Sequence, residues 1–156
     1  MKIEICTSRE TKPDFVSRMI MKFMGTKYSH ILVLIDNSIV WHMTGKGFHS
    51  QPADEFLSDH LFVDCVDVST KVTRSEEYCK GYLEGMRGGE YSQSQYLGFL
   101  RKRLQRFTKN GNEKSVCSES VARIMHDWGV MYFPEDVRDF LSPEDVIEAL
   151  KKAVKS

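Results

Sequence analysis

One thiol and two imidazoles in this chain have the types and the spacing for nucleophilic acyl chemistry. His30 and His42 stand twelve positions apart in YSHILVLIDNSIVWHMT, Tyr28 to Thr44, and Cys117 lies in EKSVCSESVARIMHDWGV. A bare thiol is protonated near pH 7 and a poor nucleophile; an imidazole in contact can take its proton and give a thiolate–imidazolium pair. A second imidazole could hold the first in one orientation, the task an Asn or Asp performs in other Cys-His sites. Each residue also has a plainer reading. Strand histidines are commonly one on the surface and one satisfied in the core, and free cysteine is usually a small buried hydrophobe.

The elements that must position them follow from the residue pattern. Ile31 to Ile35 is a run of large aliphatics, Asp36-Asn37-Ser38 is a turn signal, and Ile39, Val40 and Trp41 resume the apolar pattern, so the stretch reads as a β-hairpin. Side chains alternate faces along a strand, and the turn sets the register. With only Asp36-Asn37 at the tip, the two imidazoles fall on opposite faces. A three-residue turn, Asp36 to Ser38 or Ile35 to Asn37, puts them on one face and within reach of each other, and this is the predicted turn.

Cys117 is placed by a helix. Ser115 is a suitable N-cap, and Cys117, Val121, Ile124 and Trp128 share one stripe at helical spacing. Cys117 then sits in the first turn, where backbone N–H groups lack helical partners and the positive helix end favours thiolate. The Cys117 N–H is the natural oxyanion donor. Tyr28, Ser29 and Ser118 are further candidates for oxyanion or substrate contacts, with a place in the core as the competing reading for Tyr28.

These residues resemble a known group. SHILVLIDNSIVWHM followed much later by VCSESVARIM is similar to the circularly permuted NlpC-type papain-like cysteine peptidases and amidases, the YiiX/YaeF-like proteins, and more distantly to the lecithin:retinol acyltransferase-like enzymes. In permuted members the histidine strand precedes the cysteine helix, as here. The resemblance implies an α+β permuted papain-like fold with an antiparallel sheet packed against the cysteine helix. It makes Cys117 the nucleophile, His30 the base and His42 the third group. A histidine in the third position resembles the acyltransferase branch, and the Cys-Ser-Glu start resembles the YiiX/YaeF branch. The implied substrates are peptide, amide or acyl-ester compounds, with no cofactor.

Two other classes use the same residues: a transition-metal site of His30, His42 and Cys117, and a scaffold or binding module without turnover. The catalytic reading assigns no metal.

The rest of the chain sets the frame. Its 156 residues, 41% hydrophobic, suit one domain, residues 1–156, with a real core. Balanced charge, 22 basic against 22 acidic residues, gives no overall field for nucleic acid or an anionic membrane. No apolar run has the length of a membrane span and no signal peptide is visible, so a reducing, cytoplasmic setting is the expectation. Cys6, Cys65, Cys79 and Cys117 are widely spaced without a CxxC pair, which indicates neither a disulfide scaffold nor a zinc knuckle, and Cys65 reads as packing.

Further strands are expected over Met1–Thr7 and Leu61–Val68. Helices are expected over Pro13–Met24 with Phe15, Met19, Ile20 and Phe23 as a core stripe, over Thr73–Met86, over Ser94–Phe107, and from Ser142 through Lys152. Gly45 to His49 reads as loop, from which His49 could lie near the site although a loop histidine is usually solvated, and His60 reads as loop before a strand. The basic residues Arg101, Lys102, Arg103, Arg106, Lys109 and Lys114 read as a solvated face. His126, nine residues after Cys117, should face about 180° away.

Overall fold

The strand and helix patterns assemble into an α+β architecture. The computed structural model describes residues 1–12, 30–44, 47–87, 116–134 and 142–156, together with Phe15, Arg18 and Lys22; for Val116 and Cys117 it describes the backbone. Five strands, β1 (Ile3–Glu10), β2 (His30–Ile35), β3 (Ile39–Thr44), β4 (Gly47–Pro52) and β5 (His60–Asp67), form one sheet in the order β4-β3-β2-β1-β5. Every neighbouring pair is antiparallel. The aliphatic run of β2 is buried along its whole length, as a central strand covered on both faces requires. Edge strand β5 alternates between partly buried and exposed.

The hairpin turn holds three residues. Val33 pairs with Trp41, Leu34 with Val40 and Ile35 with Ile39, leaving Asp36, Asn37 and Ser38 between the arms. Asp36 and Asn37 both take positive φ, 51° and 56°, a region that short polar side chains tolerate better than most. The Ser38 N–H donates to the Ile35 carbonyl at 3.0 Å and closes the turn. This is the three-residue turn that the spacing predicts.

Alternation then sorts the sheet into two faces. Ile31, Val33, Ile35, Trp41 and Met43 pack with the large core, which includes residues of α2 (Glu76–Met86), α3 (Val116–Asp127) and α4 (Pro143–Lys155). Cys6, Leu32, Leu34 and Val40 face the other way, under Ala53 and Phe56 of the short α1 (Ala53–Leu57). Val121 and Ile124 of α3 and Trp128 just after it are buried and His126 is exposed, both as the spacing predicts. Ser142 caps α4 with a reciprocal bond to Asp145, matching its cap signal.

The direction of α3 matters for the cysteine. Its C-terminal end is tied to the segment after β5: Thr73 N–H donates to the Trp128 carbonyl and Tyr78 hydroxyl to Asp127. Glu76 of that segment reaches the N-terminal ammonium, next to Ile3, which pairs with Ile35. The helix packs on β2 and β3, and its twelve residues span about 18 Å, roughly the length of β2. Its first turn, with Cys117, therefore lies towards the His30 end of β2.

Four expectations are corrected. Gly47 to Pro52 is a strand rather than a loop: it lacks an aliphatic run, but its backbone pairs throughout with β3. His60 opens β5 instead of preceding it. Cys6 and Cys65 are disulfide-bonded, facing each other across β1 and β5. A separation of 59 residues hid that pairing from any reading of local spacing, and the bond removes one support for a reducing setting. Phe15 is 70% exposed, so it is not in a core stripe.

The rest of the Pro13–Met24 helix, the Ser94–Phe107 helix with its basic residues, and the Ser115 cap lie outside the described residues. Among the described residues, no helix is long and apolar enough to cross a membrane.

A glycine ends α3. Gly129 has φ +75°, with its N–H on the His126 carbonyl and the Val130 N–H on the Met125 carbonyl, the paired bonds of a Schellman stop. A Cβ there would collide with the Thr73 side chain. Gly129→Ala is expected to lower stability by at least about 1–2 kcal/mol from the left-handed backbone alone, measured by urea unfolding; an unchanged midpoint would contradict this account of the helix end.

Candidate active site

His30 and His42 meet because the turn puts them on one face. His30 Nε2 and His42 Nδ1 are 2.9 Å apart, with the ring centroids 5.0 Å apart and the planes at 75°. His30 is the first residue of β2 and half-buried, while His42, in mid-strand, is only 5% exposed. His42 also stands opposite His49 in the β3/β4 register, with ring centroids 4.6 Å apart. The His49 Nδ1–H donates to the Gly47 carbonyl at 3.0 Å, which leaves Nε2 as the unprotonated nitrogen when the ring is neutral.

Phe56 of α1 closes the cluster from above. Its ring is perpendicular to His42, at 86° and 5.3 Å, and nearly parallel to His60, at 13° and 4.2 Å. His60 Nδ1–H in turn donates to Asp59 Oδ1 at 2.5 Å. His42 and His60 thus flank Phe56 on the sheet face away from the large core, and His30 and His49 stand against His42.

Burial makes His42 a weak base. Loss of solvent, and then the nearby rings of His30, His49 and His60, push its pKa from 6.5 down to about 3. His42 is therefore neutral at ordinary pH. Its Nε2 is buried and has no hydrogen-bond partner among the described residues.

Of the residues singled out by sequence, His30 and His42 are brought into contact. Cys117 is the second residue of α3, whose body covers the opposite face of β2 through Val121 and Ile124. Sulfur and imidazole can meet only around the end of β2, where the helix begins. The Cys117 side chain, Tyr28 and Ser29 lie outside the described residues. Ser118 is fully buried, and its hydroxyl has no hydrogen-bond partner among the described residues. Next to it, Glu119 is buried and paired with Arg123 at 3.3 Å.

Sequence reasoning placed His49 near the site only as a loop residue, and it missed Phe56 and His60 as neighbours of His42. Gly45-Lys46 between Thr44 and Gly47 was the available signal, since a two-residue connection there puts position 49 opposite position 42.

Among the described residues, no group of three or more His, Cys, Asp or Glu is arranged to hold a metal ion. No protein-family model matches the chain, and no curated protein matches it.

The lowered His42 pKa has a consequence for stability. Between about pH 3 and pH 6.5 the unfolded chain binds a proton at this residue that the folded protein does not, so stability rises with pH there. The contribution is fully present above pH 6.5 and is lost as pH falls towards about 3. Its slope is at most about 1.4 kcal/mol per pH unit. Urea unfolding from about pH 4 to about pH 7 should show this slope in the parent and a shallower one in His42→Asn; equal slopes would show that His42 is not held neutral.

Proposed function

We propose that this protein is a thiol hydrolase, a cysteine peptidase or amidase of permuted papain-like fold that works through an acyl-enzyme. The observation that carries the reading is the 2.9 Å contact between His30 Nε2 and His42 Nδ1, at the strand end towards which the cysteine-bearing helix begins. With Nε2 engaged, His30 has Nδ1 left to accept the thiol proton of Cys117. The thiolate then attacks the substrate carbonyl carbon, and the backbone N–H of Cys117 stabilises the oxyanion.

His42 is suited to the third role by being a poor base. The imidazolium formed on His30 donates from Nε2 to Nδ1 of His42, and a His42 pKa of about 3 keeps the proton on His30. From Nδ1 the imidazolium protonates the leaving amine or alkoxide. A water then gives a proton to His30 and attacks the thioester, releasing acid and regenerating the thiol. Ser118, buried one residue after the nucleophile, is a candidate for a polar contact to the bound carbonyl, as are Tyr28 and Ser29.

Alkylation can test this with little background. Cys6 and Cys65 are bonded, and Cys79 is buried, its thiol pushed up by burial and by Asp127. Without reductant, a peptide-type or acyl-type electrophile should label the parent, and Cys117→Ala should lose the label. The parent should stay reactive well below the ordinary thiol pKa of about 8.5, and His30→Ala should return the profile towards that value. Equal labelling of the parent and Cys117→Ala would refute the assignment.

A further inference from the structure

His42 has one ring nitrogen against His30 and one buried nitrogen without a hydrogen-bond partner among the described residues. A neutral imidazole carries its proton on one or the other. With the proton on Nδ1, His42 donates to His30, and the His30 proton must sit on its own Nδ1, the atom proposed to receive the thiol proton. With the proton on Nε2, His30 donates to His42, and Nδ1 of His30 is free to accept. The second tautomer serves the reaction, but it buries an N–H at a cost of about 1–3 kcal/mol if nothing accepts it.

Phe56 is a neighbour whose ring meets His42 at nearly a right angle. It is fully buried, and its ring is perpendicular to His42 at 86° with centroids 5.3 Å apart, the arrangement in which a ring N–H meets the negative face of an aromatic. His60 lies flat against Phe56 and is anchored through Asp59, which fixes the plane of the phenyl ring. The other neighbouring ring, His49, is tilted by 50° and makes no hydrogen bond to His42 among the described residues.

We propose that Phe56 is a positioning residue whose ring face receives the Nε2–H of His42, fixing His42 in the tautomer whose Nδ1 accepts from His30. Its meaning for turnover rests on the thiol-hydrolase reading; the tautomer itself does not.

Long-range proton–nitrogen correlation spectra of the full chain near neutral pH read the tautomer directly. The parent should show His42 protonated on Nε2 and unprotonated on Nδ1, with the Nε2 proton shifted upfield by the phenyl ring current. Phe56→Leu keeps the site apolar and should lose the upfield shift and gain Nδ1-protonated His42, while Phe56→Tyr keeps the ring face and should restore the parent pattern. A parent spectrum with His42 protonated on Nδ1 overturns the proposal without any variant. So does a Phe56→Leu spectrum identical to the parent's, or a His49→Leu spectrum that alone loses the pattern. The pH profile of Cys117 alkylation gives the second readout: Phe56→Leu should lose reactivity near neutral pH, and Phe56→Tyr should regain it. An ordinary thiol profile in the parent would instead refute the hydrolase reading, with the spectra still deciding the tautomer.

Discussion

A hairpin turn of three residues, with Asp36 and Asn37 both in the left-handed region, decides which face of β2 and β3 each side chain occupies. One residue fewer would invert one arm and send His42 into the large core among Ile31, Val33 and Val121. With the observed register, the odd-numbered aliphatics of β2 take the core and the even positions carry His30, Leu32 and Leu34 to the other face. The 2.9 Å contact between the imidazoles is thus a consequence of backbone geometry some distance away. The same alternation, continued through β4, adds His49.

The electrostatics of the cluster follow from where the register leaves His42. Loss of solvent and the neighbouring imidazoles of His30, His49 and His60 disfavour a positive charge on His42, the most buried imidazole of the cluster. His30, at the strand end and half-buried, keeps the access that His42 lacks. A half-buried imidazole backed by a neutral, weakly basic one can gain a proton and return it while its orientation is held. That asymmetry gives the two histidines separate roles in the proposed reaction, although they are chemically the same residue.

Much of this was legible in the sequence, for identifiable reasons. The aliphatic run of β2, the Asp-Asn-Ser turn and the helical stripe from Val121 to Trp128 are local patterns that a single periodicity explains. The Ser142 cap and the outward placement of His126 rest on equally local rules. What was hidden depends on pairings between distant segments or on weak strands. Cys6 meets Cys65 only because β1 lies beside β5. GFHSQP has no hydrophobic alternation and is a strand because β3 offers it a ladder. Phe56 enters the cluster only because the chain turns back over the sheet through α1, and its five residues are too few to show a period. The histidine cluster was therefore half visible: His30 and His42 by type and spacing, His49 only as a loop residue near them, and Phe56 and His60 not at all.

The central claim is that the Cys117 sulfur and the free nitrogen of His30 meet around the end of β2. A crystal structure of the protein alkylated at Cys117 by a peptide-like electrophile, beside that of the free protein, measures this directly. The account predicts the free sulfur within about 4 Å of His30 Nδ1, a relaxed version of the usual nucleophile–base distance, with the His30–His42 contact retained in both forms. A sulfur held on the core side of β2, out of reach of His30 in both structures, would contradict it.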